Sequence, residues 1–237
     1  MSAAGQIIKT MEDLQTGRSD IFYSYKNVTE EPDNSYIGWH LRQVTSSNFS
    51  NLTKNPHITR LYLQDCKDLQ PLKWLERFPN LENLWIYGSD KLHNIDGIQA
   101  SKKLKSLTIW PSFSSNITLD SLEAIGSLNE LEVLKFSGKA RDGLLQHLNS
   151  LPRLKSVFFS NSYSWEEIAR FERNHPEVDF PWKGGVVLEA NPKILKCKKC
   201  NSPQAMLSGK RLKLACPQCD ATYLAKHLER YSKISLA

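Results

Sequence analysis

Between residues 36 and 159 the apolar positions of the chain recur in a nearly constant phase. The segment ITRLYL at 58–63 returns as LENLWI at 81–86, LKSLTI at 104–109, LEVLKF at 131–136 and LKSVFF at 154–159, with starts 23, 23, 27 and 23 residues apart. A weaker copy, YIGWHL at 36–41, begins 22 residues before the first clear one. Within the first clear copy, Ile58, Leu61 and Leu63 fall on one side and Arg60, Tyr62 and Gln64 on the other. From Leu61 onward the period is two, which predicts a strand with one buried face. After the strand, Leu72, Leu75 and Phe78 are spaced by three, and so are Leu122, Ile125 and Leu128, then Leu145, Leu148 and Leu151, with Ile168 and Phe171 in the last unit. That spacing predicts a short helix with one apolar face. Pro79, Pro152 and Pro176 mark the ends of three of these helices, because proline interrupts the backbone hydrogen-bond ladder.

One such unit cannot bury its apolar face alone, so neighbours must stack and pair their strands in parallel. In this pattern the chain resembles the leucine-rich repeat family over about residues 36–178. The resemblance implies an α/β solenoid arc with a parallel sheet on its concave side and a turn built around a buried Asn or Cys after each strand. Cys66 stands at that turn position, and Ser89, Ser112 and Lys139 stand there in later units, so a departure from regular turn geometry is expected. The four extra residues of the third clear unit, around 111–118, are expected to form a longer edge loop. The organisation read from the sequence is an N-terminal cap at 1–35 packed through Ile21, Phe22 and Tyr25, a repeat domain at 36–180, a connecting segment at 181–192, and a small module at 193–237. Val178, Phe180 and Trp182 are expected to close the last repeat, and the apolar trio Val186 to Leu188 to add an edge strand.

Stacking turns equivalent strand positions into columns on the concave face. The central column reads His40, Tyr62, Trp85, Thr108, Lys135, Phe158, and the column on the turn side reads Arg42, Gln64, Tyr87, Trp110, Ser137, Ser160. Tyr62, Trp85, Tyr87 and Trp110 would then form one aromatic patch, flanked by Arg60, Lys105, Lys135 and Lys155. Large aromatics on such a surface anchor protein interfaces. They also occur in strands for packing alone, so a protein-binding face and plain sheet packing both remain open. The partner-binding set drawn from these columns and the flanking Arg60 is His40, Arg60, Tyr62, Trp85, Tyr87, Trp110, Lys135 and Phe158.

The cysteines add a second piece of chemistry. Four of the five fall in the pairs Cys197/Cys200 and Cys216/Cys219, with fifteen residues between the pairs. A two-residue gap lets both thiolates of a pair face one ion, and two pairs supply four soft tetrahedral ligands suited to Zn²⁺. With every ligand position a thiolate, no open site remains for a catalytic water, so the metal is expected to be structural. The segment resembles a zinc ribbon over about residues 194–223, with a hairpin turning at Ser208 to Lys210. Leu212, Leu214 and Tyr223 are expected to supply its apolar packing, and a helix is expected over 221–231 with Leu224, Leu228 and Tyr231 on one face. Cys66, alone in the repeats, is expected to be a buried packing residue.

Charge changes the picture only at the C-terminal end. The chain of 237 residues carries a formal +6, yet residues 190–237 hold ten Lys or Arg against two acidic side chains. Lysines close to thiolates offset the negative charge of a tetrathiolate centre. They also suit nucleic-acid phosphates, for which Lys198, Lys199 and Arg211 are the contact residues of the alternative reading. No run of eighteen apolar residues appears, and residues 1–10 do not read as an export signal, which makes a cytoplasmic protein without a membrane span the expectation. No nucleophile elbow, phosphate loop, dinucleotide fingerprint or HExxH motif is present, and the six histidines lack ligand-like spacing, so no enzyme is expected.

Overall fold

A computed structural model describes residues 6–7, 22–26, 37–50, 54–66, 68–112, 115–143, 145–159, 163–188, 194–211 and 213–236. The side chains of Ile21, Phe22 and Tyr25, expected to pack the N-terminal cap, lie outside the described residues, as do Tyr36, Ser160, Lys193, Leu212 and the Leu145 side chain. The chain divides into two compact units, Met1–Leu154 and Lys155–Ala237.

In the first unit β1 (Gln6–Ile7) pairs antiparallel with β2 (Phe22–Lys26), and β2 opens a parallel run through β3 (Gly38–Arg42), β4 (Arg60–Gln64), β5 (Asn83–Tyr87), β6 (Ser106–Trp110) and β8 (Val133–Phe136). The register follows the sequence repeat residue for residue: Trp39, Leu61, Leu84, Leu107 and Leu134 are partners in one row, and Leu41, Leu63, Ile86, Ile109 and Phe136 in the next. All ten are at most 1% exposed. Along β4, β5 and β6 buried and half-buried residues alternate strictly, the outcome expected of a pleated strand with one face in the core.

Backbone geometry repeats with the side chains. The carbonyl oxygens of Ile37, Thr59, Glu82 and Lys105 each accept two N–H bonds from the start of the next strand. At the strand ends Gln43, Asp65 and Gly88 all adopt positive φ, and their N–H groups donate to Gln64, Tyr87 and Trp110 of the following strand at 2.9 Å. The next equivalent residue is Pro111, which has no N–H to donate, and the row stops there. Cys66 is buried after its strand, its thiol 3.4 Å from the Gln64 carbonyl, and burial pushes its pKa up to about 11.

The return segments are mostly 3₁₀ rather than α: Leu72–Arg77, Ile98–Ala100 and Glu123–Ser127. A spacing of three matches the three residues per turn of that helix, so Leu72 and Leu75 stack directly above one another. Among the described residues of this unit, α1 (Ser46–Ser50) and α2 (Leu145–Leu148) are α-helical. The unit at 89–100 carries the same spacing of three in Leu92, Ile95 and Ile98, and these residues, not singled out above, are buried in the same layer. The inserted segment is also not wholly a loop. β7 (Ile117–Leu119) pairs in parallel with β9 (Gly138–Ala140) and buries Ile117 and Leu119.

In the second unit β10 (Ser156–Phe159) precedes α3 (Trp165–Asn174), which starts with a capping box: the Glu167 N–H donates to Ser164 Oγ and the Ser164 N–H to Glu167 Oε2. Phe159, Phe171 and Phe180 form an aromatic cluster with ring centroids 5.3–6.0 Å apart. β11 (Val186–Val187), β12 (Ala205–Leu207) and β13 (Lys213–Ala215) make an antiparallel sheet, followed by α4 (Ala221–Ser235). Tyr231 of α4 is 1% exposed and donates its hydroxyl to Glu172 Oε2 at 2.7 Å. It lies against Gly185 so closely that a Cβ there would sit 2.6 Å from the phenol ring, and Gly185 also holds a φ of +80°. That position accepts only glycine.

Candidate metal centre and aromatic face

Each cysteine pair is held in a tight turn by its own backbone. The Asn201 N–H donates to the Cys197 carbonyl and the Asp220 N–H to the Cys216 carbonyl, both at 2.9 Å. The first turn needs Asn201 at positive φ, a conformation asparagine tolerates better than most residues. The second is locked by Asp220, whose Oδ2 accepts from the Cys216 N–H at 2.9 Å. The β12–β13 hairpin and its neighbours bring the two turns together, so that all four Sγ atoms lie within 4.8 Å of one another.

Those distances fit a single ion. Four thiolates about 2.3 Å from a tetrahedral centre stand roughly 3.8 Å apart, and Cys200 Sγ and Cys216 Sγ are 3.4 Å apart, too far for a disulfide of about 2.05 Å. The Cys219 N–H points at Cys216 Sγ at 3.4 Å, as if toward a thiolate acceptor. Protons alone do not satisfy the group: hydrogen bonds from Ser202 pull Cys200 down to about 6, while the neighbouring Cys200 thiol pushes Cys219 up to about 12. A shared dication resolves that competition by favouring four thiolates at once. The cluster is compatible with a structural metal site.

The ribbon is packed differently from the sequence expectation. Leu207, Ala215 and Leu224 form its core, with Val186 and Leu228 against them. Leu214 is half-buried, and Tyr223, assigned to the interior from sequence, is 50% exposed. The phase of α4 explains the correction: Leu224, Leu228 and Tyr231 turn inward, and Tyr223 starts a separate stripe roughly 110° round the helix. Lys198 and Lys199 are exposed on the first cysteine turn, and Arg211 is exposed after the hairpin tip.

On the first unit, strand register places Tyr62 beside Trp85 and Tyr87 beside Trp110, on the face opposite the leucine rows. All four are half-buried. Tyr62 and Trp85 meet edge to face at 5.6 Å. Arg60 is half-buried and Lys135 is exposed. Lys105 is engaged with Glu82 at 3.0 Å. His40 is only 5% exposed: its Nε2 pairs with Gln64 Oε1 at 3.0 Å and its ring packs 4.5 Å from Tyr62, its register partner, so it supports the patch from the side. Burial lowers its pKa, keeping it neutral. Phe158 lies on β10 of the second unit, half-buried. Beside Trp85 in the register, the Thr108 hydroxyl is buried and has no hydrogen-bond partner among the described residues.

The closest approach to catalytic chemistry among the described residues is Ser121, Asp142 and His147. Ser121 Oγ and His147 Nε2 both contact Asp142 Oδ2 at 2.6 Å. The carboxylate thus separates hydroxyl and imidazole, whereas nucleophilic catalysis needs the base on the hydroxyl. The trio ties down a turn.

The site defines a class in general terms: an α/β protein of stacked parallel-strand repeats, with an aromatic face and a four-cysteine cluster. Among solved structures, the chain is similar to an internalin C2 from Listeria monocytogenes, at 16% identity and a TM-score of 0.46 over 71% of this chain and 78% of that one. It is also similar to an internalin (inlF) of the same organism, at 16% identity and a TM-score of 0.39 over 71% of this chain and 65% of that one. No family model and no curated protein matches the sequence. Among the described residues, no helix is long and apolar enough to cross a membrane.

Proposed function

We propose that this chain is a non-catalytic leucine-rich repeat protein that binds a folded protein partner through the sheet face carrying Tyr62, Trp85, Tyr87 and Trp110. The observation that carries the reading is the register: four large aromatics fall on neighbouring positions of β4, β5 and β6, half-exposed, with cationic Arg60 and Lys135 on the same face. Aromatic and arginine side chains of this kind act as interface anchors, because they bury much area with few rotatable bonds. The supporting His40 belongs to the same proposal.

The cysteine cluster is read as a structural zinc ribbon, Zn²⁺ replacing the core that so small a module cannot build. A cytoplasmic setting belongs to the reading, since free thiols persist in reducing compartments. An immunity or scaffold role, in which the face covers a partner enzyme, is the biological form this binding would take.

The test is recovery of the native complex from source cells with the wild-type chain and with the Trp85→Ala/Trp110→Ala double variant. The expected result is one stoichiometric partner, bound at least about thirty-fold more weakly by the variant, since one interfacial anchor contributes about 2 kcal/mol or more. Undiminished binding by a folded double variant contradicts the proposal.

A further inference from the structure

The second unit contains a cleft of about 310 Å³ away from the cysteine cluster's own ligands, and its walls are unusual. Lys210 and Lys213 come from the hairpin, Lys226 and Arg230 from α4, and two aromatic rings, Trp165 of α3 and Tyr223 of α4, stand among them. The four cations are exposed, and none has an ion pair or hydrogen bond to a carboxylate among the described residues. Of the nearby carboxylates, Glu167 caps α3, and Glu229 hydrogen-bonds Lys233 at 2.7 Å while also feeling the charge of Arg230. A solvated basic face needs no concavity, and four like charges gathered around one against a single nearby carboxylate, Glu229, repel. Their arrangement is stable only at modest cost in water and becomes favourable when an anion enters.

The cleft is built by specific packing. On α4, Tyr223, Lys226, His227 and Arg230 follow the i, i+3, i+4, i+7 pattern and form one stripe. His227 fixes that stripe from below, its Nε2 3.0 Å from the Gly185 carbonyl. On the opposite wall Gly209, at a φ of +124°, lets the hairpin tip rest against Trp165, whose Cβ would lie 3.4 Å from a side chain there. The hairpin is thereby held with Lys210 and Lys213 toward the same opening as Lys226 and Arg230.

From this geometry we infer that the cleft binds single-stranded nucleic acid, one nucleotide at a time entering it, with phosphates on Lys210, Lys213, Lys226 and Arg230 and a base stacked on Tyr223. The volume lies at the lower end of small-ligand sites, near that of one nucleotide unit rather than a duplex groove. The half-exposed Tyr223 ring offers a stacking platform that bases can reach only when unpaired. An acidic peptide would meet the cations but leave that ring without a role. The site is distinct from the exposed Lys198 and Lys199, which lie on the first cysteine turn, and from the aromatic face of the first unit, so it stands or falls independently of the protein-binding proposal.

The test uses the full-length, zinc-loaded chain and a fluorescent oligo(dT), with affinity measured between 50 and 200 mM salt. If each of the four cations meets one phosphate, the slope of log K against log salt is about −2.8, an affinity loss of about fifty-fold over that range. Lys226→Gln/Arg230→Gln should halve the slope, and Tyr223→Ala should weaken binding about 5- to 150-fold while leaving the slope in place. Because all three residues are exposed, zinc content and circular dichroism should remain those of the wild type. Thymidine monophosphate, a duplex of the same sequence and poly-glutamate are the comparison ligands. Tighter binding of the single strand than of all three supports the inference. Equal binding of duplex or poly-glutamate, indifference to Tyr223→Ala, or no binding at 50 mM salt overturns it.

Discussion

Replacing Leu107 with alanine probes the stacking of repeats at its centre. Leu107 is 0% exposed on β6 and lies in register between Leu84 of β5 and Leu134 of β8, so leucines flank it on both sides. The substitution removes three carbons from a fully dry site, worth about 2.4 kcal/mol at about 0.8 kcal/mol per methylene. Strands paired on both sides cannot collapse far into the hole, and the cavity term raises the expected cost to about 3–4 kcal/mol, within the range seen for buried leucines. The adjacent residue provides the control. Thr108 points to the other face, and its hydroxyl is buried without a partner, so Thr108→Ala should change stability by no more than about 0.5 kcal/mol. Urea unfolding followed by far-ultraviolet circular dichroism reports both. A Leu107→Ala cost below about 1 kcal/mol, or equal costs at the two positions, would refute the two-faced strand and the shared leucine row.

Alkaline pH should destabilise the fold partly through Cys66. Its folded pKa of about 11 lies above the usual thiol value of 9.0, so the unfolded chain loses its proton first and stability falls between about pH 9 and 11 by roughly 2–3 kcal/mol; Cys66→Ala should flatten that part of the pH profile. Burial also raises the Tyr231 pKa, adding an alkaline loss above about pH 10 that Tyr231→Phe removes. On the acid side burial lowers the pKa of His40, so the unfolded state takes the proton first and stability declines as pH falls through and below about 6.5; His40→Gln should reduce that decline. Metal analysis should find one zinc per chain. Chelation or Cys200→Ser should melt β12, β13 and α4, seen as loss of amide protection in that segment with the leucine rows still protected.

The repeats were legible because their code is purely periodic. A leucine returning every 23 residues, once after 27, with alternation inside each copy, leaves one register that buries every row, and Leu61, Leu84, Leu107 and Leu134 meet in it. The cysteine pairs were legible because two-residue spacing constrains geometry by itself. What escaped had conflicting local signals. Leu92, Ile95 and Ile98 carry the same spacing of three, but Asn94, Asp96 and Gly97 among them read as a turn, and their burial is plain only once the flanking repeats stack. Ile117 to Leu119 sits in an apparent insertion and becomes β7 because Gly138 to Ala140 offers it an edge. The returns at 72–77, 98–100 and 123–127 are 3₁₀ turns, whose three residues per turn match the apolar spacing of three, whereas only the last unit holds a full α-helix among the described residues. His40 reads as a polar surface residue, yet Gln64 satisfies its ring nitrogen and permits burial. Tyr223 was placed inside because aromatic residues favour cores. The stripe it shares with Lys226, His227 and Arg230 was present in the sequence and marks the outside of α4.

Hydroxyl-radical footprinting of the purified complex with its native partner tests the binding face most directly. Binding through that face predicts that Tyr62, Trp85, Tyr87 and Trp110 lose reactivity together when the partner is present, while exposed Tyr223 of the second unit keeps its own. Unchanged reactivity at those four rings in a saturated complex would contradict it.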